Sequence, residues 1–337
     1  MILGHGNDKF KYGNGILHDF SSNIPGGVSH QGLFTFLQEK LSTITDYPNP
    51  TASPLDEHIS KRLDIPQDCI CITNGATEGI YLIAQTFHGC RSSIMVPTFS
   101  EYADACRMHE HVVTSIFSAE KIPGNSQLIW MCNPNNPTGS VLEKDTLLKL
   151  IEKNPDKIFV IDQSYECLTD VPLLRANEAT NYPNIVLIHS LTKEFAIPGL
   201  RLGYLTANPL LMKRISAQRM PWSVNQLAIL AGCYLLNHEE DYVLDLHGIL
   251  EERAFVADEL RKIGGMEVWP SSTNFLLVQL RFGKAPALKD YLAEKHHILI
   301  RDCSNFEGLD DRFFRIAVQS PEENELLLNA IEDWMKE

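Results

Sequence analysis

A chain of 337 residues, 44% hydrophobic and 21% charged, is long enough for two domains or for one large domain with a smaller lobe, and this composition excludes a disordered or fibrous protein. The formal net charge of −14 argues against a nucleic-acid partner, which demands a basic surface, and leaves any anionic ligand to a few locally placed cations. No apolar run has signal-peptide length at the start or membrane-spanning length later, so the expectation is a soluble cytoplasmic protein with no membrane contact.

In chain order, residues 1–30 are rich in Gly, Asn and Ser and read as an extended arm and turn carrying Asp19-Phe-Ser-Ser-Asn23. The spacing of Leu33, Phe36, Leu37 and Leu41 predicts a helix over 31–44. The stretch Thr45-Asp-Tyr47-Pro-Asn-Pro-Thr-Ala-Ser-Pro54 must be an irregular loop, because its three prolines cannot donate backbone hydrogen bonds. From residue 55, strands alternate with helix-length segments. Predicted strands cover 69–73, 93–96, 112–117, 127–132, 157–162, 185–190 and 202–206. Seven such strands argue for an α/β large domain with a mostly parallel, helix-covered sheet. The pattern then turns helical, over 210–237 with a break at Pro221 and over 240–264 up to Gly264-Gly265. The C-terminal stretch reads as a smaller α+β lobe, with strands at 274–280, 297–301 and 312–318 and helices at 285–295 and from Pro321 onward. The expected organisation is an N-terminal arm and helix (1–40) packing on the small lobe, a large ligand-binding domain (41–239) and a small domain (240–337). The eight cysteines are scattered without a Cys-x-x-Cys pair, and the adjacent His296 and His297 would point to opposite strand faces, so no metal site is expected.

Six stretches carry chemistry, and each also admits a plainer reading. In Thr73-Asn-Gly75-Ala76-Thr77-Glu-Gly79 a strand runs into a helix, and free N–H groups at the helix start with the Thr77 hydroxyl make an anion cradle; the alternative is an ordinary capped helix. Pro97-Thr-Phe99 offers Phe99 as a flat surface for a planar ring, although an aromatic there also serves as core. Asn133-Pro-Asn-Asn136-Pro-Thr-Gly139 forms a rigid turn that holds the Asn136 amide toward a ligand oxygen. Asp162, at the end of a buried strand, needs a cation, which a protonated pyridine nitrogen supplies, and Tyr165 reaches a phenolic oxygen on the same ring; the competing role for Asp162 is helix capping. In Ser190-Leu-Thr-Lys193-Glu-Phe-Ala-Ile-Pro-Gly-Leu-Arg201, a desolvated Lys193 past a strand end is a Schiff-base nucleophile that converges with Arg201 on one anion; otherwise both are surface cations. In the C-terminal lobe, Arg315 sits among apolar residues and Arg301 follows Ile298-Leu-Ile, so a carboxylate or phosphate is required, unless Asp302, Asp310 or Asp311 supplies it internally.

Taken in order along successive strand ends, these parts match what pyridoxal 5′-phosphate requires. On these motifs the sequence resembles the fold-type I, aspartate-aminotransferase-like enzymes over nearly its whole length, and within them the histidinol-phosphate aminotransferase and threonine-phosphate decarboxylase branch. The resemblance implies that Lys193 carries the cofactor, Asp162 pairs with the pyridine nitrogen, and Tyr165 and Asn136 hold the ring 3′-oxygen. It implies that Gly75, Ala76, Thr77, Ser190 and Arg201 hold the phosphate and that Phe99 covers the ring. It also implies a homodimer with shared active sites, in which Tyr47 reaches a phosphate in the other subunit. His5-Gly6, the Asn23 segment, Met220-Pro-Trp222-Ser-Val-Asn225 and Ile298-Leu-Ile-Arg301-Asp-Cys-Ser-Asn305 are more similar to the decarboxylase. That similarity implies a lyase of cobalamin-type biosynthesis acting on a small phosphorylated amino acid, bound by His5, Asn23, Asn136, Arg301 and Arg315; the alternative is a histidinol-phosphate-type transaminase. Two positions depart from the pattern: Ala76 stands where an acidic residue is usual, and Gln319 where the decarboxylase tends to carry an arginine. A non-catalytic regulator on the same fold usually carries a fused DNA-binding domain, and no segment here fits one.

Overall fold

The structure, a computed structural model, describes residues 7–336, so His5 lies outside the described residues. The arm contributes a short strand, β1 (His18–Asp19). Seven strands then build one sheet: β2 (Ile70–Thr73), β3 (Arg91–Met95), β4 (Val112–Ile116), β5 (Leu128–Cys132), β6 (Ile158–Asp162), β7 (Ile185–His189) and β8 (Gly203–Ala207). Their order is β2-β8-β7-β6-β5-β3-β4, and only β8 runs against the rest. Each observed strand lies within two residues of its expected bounds; β5 to β8 are legible because a strand buried on both faces is a short, mostly apolar run.

Side chains alternate across this sheet. Ile129, Met131, Phe159, Ile161 and Leu187 meet one helical layer with Leu55, Ile59 and Ala228, while Trp130, Val160, Val186 and Ile188 meet the other with Ile80, Ile83 and Tyr102. With both faces covered, the crevice at the carboxyl ends of β5, β6 and β7 is the place left for a ligand.

The small lobe adds β9 (Met266–Val268), β10 (Phe275–Leu280), β11 (Ile298–Leu299), β12 (Arg301–Asp302) and β13 (Phe313–Ala317). Four of them form an antiparallel sheet in the order β12-β13-β10-β9, and β11 instead pairs in parallel with β1 of the arm. The single strand expected over 297–301 is thus two strands that change partner at Ile300. Phe20, next to β1, is fully buried in the lobe core with Leu276, Phe314 and Leu327. The strands β1 and β9 escape sequence reading, since two or three residues carry no periodicity.

One expectation about the N-terminus is corrected. The helix Gln31–Lys40 does not pack on the small lobe; it lies against the helix Gln226–Asn237, with Leu33 in the large-domain core and Phe36 stacked on Tyr234 at 4.8 Å. Its apolar stripe is satisfied there, and only the arm before it reaches the small lobe. No helix among the described residues is long and apolar enough to cross a membrane.

Candidate active site

A cavity of about 260 Å³ opens where the carboxyl ends of β5, β6 and β7 face the arm and the small lobe. Of the expected site residues it is lined by Ala76, Thr77, Phe99, Asn136, Asp162, Tyr165, Ser190, Lys193, Arg201, Asn23, Arg301 and Arg315. Residues scattered over nearly three hundred positions of sequence thus converge on one space.

At its floor, the carboxylate of Asp162 accepts two hydrogen bonds, from the Tyr102 hydroxyl to Oδ2 (2.7 Å) and from the Ser164 backbone N–H to Oδ1 (2.9 Å). Burial still pushes its pKa up, against these donors and the nearby His189. Such a carboxylate is short of positive charge and favours a cation arriving from the cavity. Lys193 projects from the short helix Leu191–Glu194 directly after β7, its Nζ 5.8 Å from the centre of the Tyr165 ring. Burial first, then the charges of Arg315 and Arg201, lower its pKa to about 8. A substantial fraction of this amine is therefore neutral near physiological pH, as a nucleophile requires.

The turn into the helix Gly75–Thr86 sits under Arg201. Gly75 has φ +77°, and a Cβ there would lie 2.6 Å from Arg201 Nη2, so only glycine allows both the turn and the approach of the guanidinium. The first-turn N–H groups of this helix have no intrahelical acceptor, and with the Thr77 hydroxyl, Ser190 and Arg201 they form an anion site. Gly75 itself shapes the site without lining it. The Asn-Pro turn is stitched down by its first two asparagines: Asn133 exchanges hydrogen bonds with Leu142, and Asn135 joins Pro97 and Thr98 on the Phe99 segment. The platform and the Asn136 amide are therefore one rigid unit.

On the lobe side, Arg315 and Arg301 are direct cross-strand partners in β13 and β12. Arg315 donates to Asn136 Oδ1 and to the Ser21 carbonyl, and its Nε has no partner among the described residues. Arg301 donates to Asn305 Oδ1 at 2.8 Å and lies 5.1 Å over the Phe306 ring. The internal acids weighed as partners do not pair with either: Asp310 holds Arg312, Asp311 holds Lys284, and Asp302 accepts from Ser304. Burial lowers the pKa of both arginines, and Arg315 adds to that effect on Arg301. The Asn23 amide lies against Tyr165, buried and completing no hydrogen bond among the described residues.

The match to the aminotransferase class I and II family model runs over residues 18–331, which includes every element just described. The chain belongs to the class I and II aminotransferase family. It is 34% identical over 310 residues to a histidinol-phosphate aminotransferase of Thermoanaerobacter sp. (strain X514), covering 87% of this chain and 86% of that protein. It is 31% identical over 335 residues to the threonine-phosphate decarboxylase of Salmonella typhimurium, covering 94% and 90%. The crystal structure of L-threonine-O-3-phosphate decarboxylase from Porphyromonas gingivalis superposes with a TM-score of 0.92 at 38% identity, covering 95% of this chain and all of that one.

As a member of this family the chain is a pyridoxal-phosphate enzyme, a transaminase or a decarboxylase. The residues present fit that cofactor: a carboxylate short of positive charge, an amine of lowered pKa and an anion cradle face one cavity. Of the remaining expected residues, Tyr47 stands outside the cavity, 86% exposed and tilted against Trp222 at 5.5 Å. Sequence reading missed Tyr102, Ser164, Ser22 and Phe306, which also line the cavity. Tyr102 was within reach, one helical turn after Phe99; Phe306 and Ser22 come from loops with no periodic signal.

Proposed function

We propose that this enzyme decarboxylates a small O-phosphorylated α-amino acid, threonine phosphate above all, as a step of cobalamin-type biosynthesis. The observation that supports this most is the register of Arg301 against Arg315. Opposed residues of an antiparallel pair share a face with Cβ atoms about 5 Å apart. Two guanidiniums so close, desolvated and without carboxylate partners among the described residues, call for two anions on one short molecule. A carboxylate and a phosphate on neighbouring carbons answer that demand. Histidinol phosphate has only the phosphate, and leaving a buried charge unpaired costs about 3–5 kcal/mol.

Bound pyridoxal phosphate supplies an electron sink for the pair released when a bond at the substrate Cα breaks. The chain supplies the rest. Lys193 holds the cofactor through its neutral amine, Asp162 keeps the ring nitrogen protonated, and Tyr165 and Asn136 fix the 3′-oxygen. The Gly75 turn, with Ala76, Thr77, Ser190 and Arg201, takes the cofactor phosphate, and Phe99 covers one ring face. Arg315 takes the substrate carboxylate, Arg301 with His5 takes the substrate phosphate, and Asn23 contacts the substrate beside Tyr165. With both anions clamped, Arg315 and Arg301 would fix the rotation about the substrate Cα, and that rotation decides whether CO2 or the Cα proton is the group released, Lys193 being the base for the proton. A homodimer in which Tyr47 completes the partner's cofactor site accords with the exposure of that side chain, whose ring lies against Trp222.

The test is direct: holoenzyme with threonine phosphate, followed for CO2, against holoenzyme with histidinol phosphate and 2-oxoglutarate, followed for glutamate. Release of CO2 is expected. Glutamate without CO2 would replace this reading with the transaminase.

A further inference from the structure

We infer that Tyr102 is a positioning residue for Asp162 and mechanically joins that carboxylate to the Phe99 platform. The inference rests on the reading of Asp162 as the partner of the ring nitrogen. Tyr102 lies on the helix Glu101–Met108, is 1% exposed, and is held on two sides: its ring stacks on Trp130 (5.7 Å, 22°) and meets Phe99 edge to face (5.9 Å, 86°). A side chain packed this way has one position available for its hydroxyl, and that position is 2.7 Å from Asp162 Oδ2.

A carboxylate at the end of a strand rotates about its side-chain torsions unless both oxygens are fixed. The Ser164 N–H, 2.9 Å from Oδ1, fixes one oxygen and Tyr102 fixes the other. Tyr102 donates to the ionised form, so it also stabilises the negative charge that a protonated ring nitrogen needs. Any shift of the Phe99 segment is passed to the carboxylate through the same ring.

The other titratable groups facing Asp162 are Cys132 at the end of β5, Tyr165, Lys193 and His189 at the end of β7. Cys132 is held as a neutral thiol by burial, its sulfur against the carbonyl of Pro134. His189 is bound to Glu166 and Thr206 and makes no hydrogen bond to Asp162. Ser164, next along the chain, acts on the same carboxylate through its backbone N–H and its side chain, whereas Tyr102 reaches it from another element and holds Oδ2.

The experiment is the pH titration of the visible absorbance of the holoenzyme in Tyr102→Phe, Trp130→Phe and Asp162→Asn. Tyr102→Phe removes the donor and keeps the ring. The carboxylate then holds the ring-nitrogen proton less firmly, less positive charge opposes protonation at Lys193, and the midpoint moves to higher pH. A shift of roughly half a unit or more is expected, a fraction of what a lost hydrogen bond to a charged group costs the carboxylate itself. Turnover falls by roughly tenfold with KM unchanged, as for a contact that acts on the chemical step. Trp130→Phe keeps the donor but loosens one side of the Tyr102 ring and loses the hydrogen bond from Trp130 to Ser92, so it moves the midpoint in the same direction by less than Tyr102→Phe does. A midpoint unmoved in Tyr102→Phe but moved in Asp162→Asn overturns the inference about Tyr102; one unmoved in both overturns the Asp162 assignment with it. Should Tyr102→Phe fail to fold, 3-fluorotyrosine at position 102, a stronger donor of nearly the same shape, must move the midpoint to lower pH. No movement there overturns the inference equally.

Discussion

The two walls of the cavity are built on opposite principles. On the strand-end wall the polar groups are tied down by the chain: Asp162 has two donors, and the turn bearing Asn136 is stitched to the Phe99 segment through Asn135. On the lobe wall, among the described residues, Arg301 and Arg315 stand side by side without carboxylate partners and Asn23 completes no hydrogen bond. A pre-satisfied wall receives the same cofactor every time, whereas a wall of frustrated charge selects the ligand that relieves it. Under the proposed function, the first wall would serve the chemistry common to the family and the second the choice of substrate.

Several measurements break or sharpen that contrast. The largest effect is expected from Lys193→Ala, which should lower turnover by about 10²–10⁴-fold, measured as CO2 release, by removing the amine that the strand-end wall exists to present. Arg315→Gln should lower kcat/KM by about 10²–10³-fold, because one substrate anion is left facing no cation. The amount of cofactor bound should change little; a loss of cofactor as severe as the loss of turnover would break the contrast. Arg301→Gln should raise KM by about tenfold or more and, in the apoenzyme, raise the melting temperature by relieving repulsion from Arg315. A melting temperature that falls would mean the pair is relieved within the protein. Cofactor capture by apoenzyme, followed by growth of the visible band, should speed up with pH through a midpoint near 8, since the neutral Lys193 amine is the reactive form. The sign follows from burial and the two arginines, all of which disfavour the protonated amine. The smallest effect should come from Tyr47→Phe, a few-fold weaker cofactor binding in equilibrium dialysis, present only under conditions where sedimentation reports a dimer.

The strand-end wall was the legible half. Asp162 ends a short apolar strand and Lys193, Asn136 and Gly75 each follow one, and a run that must be a buried strand fixes where its end lies. The lobe wall was legible in residue type but not in arrangement. Arg301 and Arg315 could be named as cations in need of an anion, yet nothing in the spacing says that they oppose each other across one strand pair. The helix Gln31–Lys40 shows the same limit: its apolar stripe announces a buried face, and both lobes offer one.

By itself the sequence determined the alternation of strands and helices, the identity of the reactive groups and their order along the chain, because hydrophobic periodicity and turn chemistry are local. Only the tertiary structure decided which groups are neighbours. It set Tyr102 against Asp162, Arg301 against Arg315 and the arm against the small lobe, through packing and strand register between segments far apart in the chain. Those contacts depend on how two lobes bury their surfaces together, a property of the whole chain that no short window of residues contains.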